Sequence, residues 1–166
     1  MFDVKELYQY SSTVRRKFLE KLEALPWEQV TKNREASFYS MRNIMIHMID
    51  NEDWIVNWVI HNNSAGYKRA RRSDEYTSMS MVKVHLEEVE TKTRAYLQTA
   101  DEKEFHRPVK FTLASGITFD LSVEEALFQS FTEQLYHLGE LIALLWQEDV
   151  EPPTMQWFWN NPRAKA

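Results

Sequence analysis

The sequence predicts an all-α fold, an up-down-type four-helix bundle with a short β-hairpin between its third and fourth helices. Three observations carry that prediction. Four long segments repeat apolar side chains at spacings of three and four, the period of an amphipathic helix. One stretch between the third and fourth segments alternates apolar and polar residues with a period of two. The length of 166 residues, 43% hydrophobic and 27% charged, suits a single domain over 1–166 with little room for a second core.

The first helix is expected from Asp3 to Leu25, with Val4, Leu7, Tyr8, Ser11, Val14, Phe18, Leu22 and Leu25 on its apolar side. Asp3 and Glu6 supply an N-terminal cap pair, and Pro26 stops the helix. The second runs from Ser40 to His61 and carries Met41, Ile44, Met45, Met48, Ile55, Trp58 and Val59 on its apolar side; Asn62 to Gly66 ends it with turn chemistry. The third, Ser80 to Gln98, places Val82, Leu86, Val89, Thr93 and Tyr96 on one stripe, with Glu87, Glu88 and Glu90 facing elsewhere. The hairpin alternates Val109, Phe111 and Leu113, turns at Ala114-Ser115-Gly116, and continues through Ile117, Phe119 and Leu121. An isolated hairpin is marginal in water, so it must lie against the bundle or a partner. The fourth helix, Ser122 to Gln147, opens with a capping box of Ser122 and Glu125. Its stripe is Val123, Leu127, Ser130, Gln134, His137, Leu138, Leu141 and Leu145. Trp157-Phe158-Trp159 follows Pro152-Pro153 and is expected across a bundle end or at a site entrance.

Composition excludes several chemistries. The three glycines are too scattered for a P-loop or a dinucleotide fingerprint, both of which need clustered glycines where amides meet phosphate. Zero cysteines exclude disulfides, a thiol nucleophile and thiolate metal ligands. A net charge of −5 opposes nucleic-acid binding, with Lys68-Arg69-Ala70-Arg71-Arg72 a local exception that reads as a solvated loop or a helix end. No run approaches the ~18–20 apolar residues of a membrane span. The stretch from Met1 to Glu6 carries no leader pattern, so the expectation is a cytoplasmic protein without membrane contact.

Chemistry must therefore come from imidazoles, carboxylates and hydroxyls. Of five histidines, His61 and His106 read as solvated and His85 as a surface residue. His47 lies near the buried side of the second helix, and His137 lies on the stripe of the fourth. Either alone reads as a satisfied core histidine. Glu133 stands four residues before His137, so the two point the same way, about 40° apart around the helix axis. A carboxylate beside an apolar stripe is costly unless paired or bound to metal. His47, Glu133 and His137 thus form a candidate two-imidazole, one-carboxylate metal triad with coordination positions left for water or substrate.

The stretch Ser37-Phe38-Tyr39-Ser40-Met41-Arg42-Asn43-Ile44-Met45-Ile46-His47-Met48-Ile49-Asp50-Asn51-Glu52-Asp53-Trp54 resembles the second helix of DinB-like proteins, bacterial metal-binding four-helix bundles. Glu133-Gln134-Leu135-Tyr136-His137-Leu138-Gly139-Glu140-Leu141 resembles their last helix, where His-x-x-x-His-x-Gly-Gln is usual. The resemblance implies that His47 and His137 occupy metal-ligand positions. It also exposes two departures, Glu133 where histidine is usual and Glu140 where glutamine is frequent. A carboxylate in place of an imidazole still suits zinc, nickel, manganese or iron, while lowering the Lewis acidity of the centre.

The family is related to bacillithiol- and mycothiol-dependent transferases. The resemblance therefore implies a metal-dependent thiol transferase or hydrolase acting on a small molecule, with a low-molecular-weight thiol as cosubstrate and Asn51 or Glu140 supporting the centre. The alternative is a non-catalytic metal-binding or stress-response protein. Six Trp, seven Tyr and nine Phe exceed what one small bundle readily buries, and DinB-like proteins are often dimeric, so a homodimer is expected.

Overall fold

The computed structural model describes residues 3–160; Met1 and Phe2, part of the stretch read for a leader, lie outside the described residues. Helix α1 spans Val4–Glu23, with the Asp3 carboxylate accepting from the Lys5 amide at 2.8 Å. A short α2, Trp27–Thr31, precedes α3, Met41–Trp54, which starts where the Ser40 hydroxyl accepts from the Asn43 amide. The second helix was expected to run unbroken to His61, but past Trp54 it widens into a π turn at Ile55–Val59. That turn keeps Ile55, Val56 and Val59 all buried. Helix α4 covers Met79–Thr99 and a single turn, α5, covers Glu102–Phe105. Strands β1, Pro108–Thr112, and β2, Thr118–Ser122, lead into α6, Val123–Trp146, through the expected capping box of Ser122 and Glu125. Helix α7, Trp157–Asn160, closes the described chain.

The fold class is the one the periodicity predicts: α1, α3, α4 and α6 form a four-helix bundle with the hairpin before α6. Around the bundle the order is α1, α4, α3, α6, so the consecutive long helices α1 and α3 sit diagonally. Every residue of the stripe expected on α6, from Val123 to Leu145, is buried. In the antiparallel hairpin Val109 faces Leu121 and Phe111 faces Phe119, whose rings stack at 5.3 Å. Trp54 packs edge-on against Phe111 at 5.4 Å, which fixes the hairpin to the end of α3. Ile117, expected on the apolar face, lies past the strand in the turn and is exposed. The turn depends on Gly116 at φ +86°, where a side chain would be strained. Trp157 packs on Tyr10 of α1 at 4.8 Å, whereas Phe158 and Trp159 face solvent. Among the described residues, no helix is long and apolar enough to cross a membrane.

One feature of the core runs against the sequence reading. Glu90, expected to face away from the α4 stripe, is fully buried, because four residues on from Leu86 it returns to the same side of the helix. It meets Arg15 of α1 at 3.0 Å, and Arg15 in turn meets Glu52 of α3 at 2.7 Å. Arg16 and Arg94 reach Glu90 from the periphery. Burial pushes the Glu90 carboxyl up, but the arginines outweigh it and hold it below its usual range. Glu52 also accepts from Thr93 at 2.6 Å and from Gln134 of α6 at 2.9 Å. All four long helices thus share one polar cluster. Removing one partner from a buried ion cluster strands the others, so Arg15→Ala should lower unfolding free energy by about 3–5 kcal/mol. Urea denaturation followed by circular dichroism measures it; a loss under 1 kcal/mol would show that Glu52 and Glu90 do not depend on Arg15.

Candidate metal centre

Three ligand-type side chains meet between α3 and α6, which are neighbours in the bundle. His47 comes from the middle of α3, and Glu133 and His137 stand one turn apart on α6. Nε2 of His47 lies 3.0 Å from Oε1 of Glu133, and Nε2 of His137 lies 3.9 Å from the same oxygen. One ligand atom from each residue lies within 4.8 Å of the others. His137 is buried, while His47 and Glu133 are half-buried. The three residues singled out by spacing are brought together, and they could hold a metal ion.

The surroundings decide which atoms face the centre. Oε2 of Glu133 accepts from Asn51 at 3.2 Å and from Gln129 at 3.4 Å, which leaves Oε1 for the centre. Nδ1 of His137 lies 3.2 Å from Oε2 of Glu140. An ionised carboxylate only accepts, so Nδ1 donates, and Nε2 is the ring nitrogen on the side of Glu133. Glu140 is held in turn by Ser37, whose amide and hydroxyl donate to it at 2.8 and 2.7 Å. The next residue, Phe38, stacks flat on the His47 ring at 3.9 Å. The loop reaches α3 through Tyr39 at φ +69°, a left-handed conformation that costs a non-glycine residue about 1–3 kcal/mol. This strain delivers Phe38 to the imidazole and Ser40 to its cap.

Charge is tuned in the same direction. The hydrogen bond with His47 holds the Glu133 carboxyl below its usual range against the opposing effect of burial. Burial pushes Glu140 up, but the bonds from Ser37 and His137 outweigh it and its carboxyl also falls below the usual range. Both carboxylates therefore stay ionised at neutral pH. His137 Nε2 and the anionic Oε1 of Glu133 face each other across 3.9 Å, a gap that a cation between them would fill. The donor set fits a divalent transition metal: two imidazole nitrogens, one carboxylate oxygen, and a partner fixing each α6 donor from behind.

Asn51 donates to Glu133, and Glu140 lies against His137. His61 and His106 are exposed, as expected; His106 donates from Nδ1 to the Glu102 carbonyl at 2.7 Å. His85 corrects the surface reading. It is buried, with Nδ1 2.6 Å from the Tyr76 hydroxyl, and burial pushes its pKa down. Tyr76 precedes α4 in a segment without periodicity, so residue spacing carries no sign of this cover. Ser37 and Phe38 were likewise absent from the candidate residues because they lie in a loop.

A match to the DinB family spans residues 1–164. The chain belongs to the DinB family. Its fold is similar to a DinB-like protein from Bacillus cereus ATCC 10987, with TM-score 0.71 and 14% identity over 91% of this chain and 94% of that one. It is also similar to the DinB-like protein YjoA of Bacillus subtilis, with TM-score 0.68 and 16% identity over 92% and 96% of the two chains. A comparison with curated proteins finds no match. Family and fold thus agree with the residues that first suggested them.

Beside the centre of this DinB-family chain lies Asp50, one turn past His47 and only 4% exposed. Burial pushes its carboxyl from 3.8 up to about 6, against the attraction of Arg69, whose Nε stands 3.2 Å from Oδ2. The folded-state value exceeds the unfolded one, so this group's contribution is full below pH 3.8 and is lost as pH rises through about 6. Asn imitates the neutral acid at every pH. Asp50→Asn should therefore match wild type near pH 4 and melt a few degrees higher at pH 7.5, as thermal unfolding across that range will show. A constant difference between the two proteins would contradict the shift.

Proposed function

We propose that the protein binds one divalent transition metal through His47, Glu133 and His137 and uses it on a small molecule, as a metal-dependent thiol transferase or hydrolase. The observation that supports this most is the placement of His137 Nε2, which faces Glu133 Oε1 while Glu140 engages the opposite ring nitrogen. Zinc, nickel, manganese or iron would supply Lewis acidity toward a substrate thiol or water. The chain itself holds the α6 ligands in register, keeps Glu133 ionised, and shields one face of His47 with Phe38. It has no cysteine, so the sulfur of a thiol reaction would come from a low-molecular-weight cosubstrate. The cytoplasm, where such thiols stay reduced, is the proposed setting. The anionic ligand also favours a second reading, a metal-binding protein without turnover, because it weakens the Lewis acid.

Metal analysis of protein purified without chelator or nickel resin tests the binding. Wild type should carry one metal per chain, and His47→Ala and His137→Ala should lose it. Glu133→Ala should retain it weakly, and Glu133→His should keep it and raise any thiol consumption. Imidazoles bind metal only when deprotonated, so acidification should release it. A metal-free wild type, or full stoichiometry in both histidine variants, overturns the site; a metallated protein that consumes no thiol leaves the binding protein.

We also propose a homodimer built on the outer face of α6. Phe128, Thr132, Leu135, Gly139, Ile142 and Trp146 follow one another at alternating spacings of four and three, a seam like that of a coiled coil. Phe128 and Trp146 are exposed, and nothing lies within 4 Å of where a Gly139 Cβ would be. Glycine in a helix interior costs about 1 kcal/mol, and close approach of a second helix gives it a use. Sedimentation at tens of micromolar should show a dimer that Leu135→Glu with Trp146→Glu converts to monomer; a monomeric wild type defeats the idea.

A further inference from the structure

The basic run Lys68–Arg72 stands outside the metal centre. The structure divides it. Arg72 is spent on Asp74, with both Nε and Nη2 engaged at 3.0 and 2.5 Å, and Arg71 lies over the Tyr76 ring. Arg69 instead turns toward α3 and places Nε 3.2 Å from the buried Asp50 carboxylate. Among the described residues, no hydrogen bond engages its two Nη nitrogens, and its side chain is 55% exposed.

Arg69 and Asp50 stand in the wall of a cavity of about 190 Å³, shared with Phe38, Asn43, His47 and Ser73. That volume corresponds to about six waters, enough for a two- or three-carbon molecule. His47 belongs both to this wall and to the metal triad, so a molecule in the cavity lies beside the centre. The polar wall is biased toward donors. The Asn43 Oδ1 already accepts from Arg42 at 2.9 and 3.1 Å, which leaves its amide hydrogens for a ligand. Ser73 adds a hydroxyl, and Arg69 adds the Nη edge of a guanidinium, whose fork matches a carboxylate. The Asp50 oxygens are buried without a hydrogen bond of their own, and their ion pair restrains Arg69 from the Nε side.

We propose that this cavity is the substrate-recognition pocket beside the metal centre and that it selects a small molecule bearing a carboxylate, with Arg69 as the anion-binding residue and Asp50 as the residue that positions it. The inference rests on the metal reading above and names the substrate class for that site. A charge-assisted pair should favour a carboxylate over a neutral group by about tenfold. A cation would be preferred only if Asp50, rather than Arg69, faced the ligand.

Three thiols of nearly equal size separate these cases: mercaptoacetate, 2-mercaptoethanol and 2-aminoethanethiol. The full chain loaded with cobalt(II) is titrated with each, following the thiolate-to-cobalt absorption, with metal content measured in every sample. Wild type should bind mercaptoacetate about tenfold more tightly than 2-mercaptoethanol, and 2-aminoethanethiol least. Arg69→Gln should keep its metal and its affinity for 2-mercaptoethanol while losing the preference; Arg69→Lys should recover part of it. Metal-loaded wild type that does not discriminate, that prefers 2-aminoethanethiol, or whose preference survives Arg69→Gln overturns the pocket and leaves the metal reading standing. A wild type that takes up no cobalt overturns both.

Discussion

The buried guanidinium of Arg15 is the constraint on which the rest of the structure depends. A charged group without solvent exposure demands partners, and it finds them in Glu52 of α3 and Glu90 of α4. Glu52 passes the constraint to α6 through Gln134. Apolar stripes alone tolerate sliding and rotation of one helix against another, because Leu and Met contacts are interchangeable. An ion cluster does not, since any shift leaves a charge unpaired. Asn51 precedes Glu52 and Glu133 precedes Gln134, so the same register that closes the cluster presents Asn51 to Glu133. His47 and His137 follow from that alignment. The polar core is thereby tied to the geometry of the centre, and its worth lies in specificity more than in net stability.

How far the sequence exposed this depends on the kind of signal each part left. Helices with a long apolar period were legible, as were the caps at Ser40 and Ser122, because periodicity and capping are local chemistry. His47, Glu133 and His137 were legible too, since ligand-type residues on a buried face stand out against it. The π turn at Ile55 was not, because it changes the helix by less than a turn and leaves the apolar order intact. The inward turn of Glu90 is not legible, since a carboxylate reads as facing away from an apolar stripe until its arginine is found 75 residues away. Tyr76 over His85 and Ser37 on Glu140 are contacts between aperiodic loops and helices, for which sequence spacing holds no record.

The loop from Asn33 to Ser40 gives the centre its asymmetry. One residue, Ser37, anchors it on Glu140 with two hydrogen bonds, and Phe38 spreads over His47. Phe38 also meets the edge of His137 at 5.4 Å, so one aromatic ring touches both imidazoles. A ring in that place holds both side chains near one rotamer, and less conformational entropy remains to be lost when a ligand arrives. The positive φ of Tyr39 is the local cost of that placement.

Charge then divides the region in two. Glu133 and Glu140, both held ionised, make the α6 side of His47 attractive to a cation. On the α3 side, Asp50 carries the opposite tendency: burial raises it toward neutrality, and its remaining charge is offset by Arg69. The arrangement keeps the two carboxylate environments distinct although both border the same imidazole. Were Asp50 as acidic as Glu133 and unpaired, a second anionic site would compete for the same cation. Arg69 removes that competition by occupying the Asp50 carboxylate and turning its own outer edge to solvent. A chain of net charge −5 thereby presents the Arg69 guanidinium next to its candidate metal ligands, where a small anion meets opposite charge in an otherwise repulsive field.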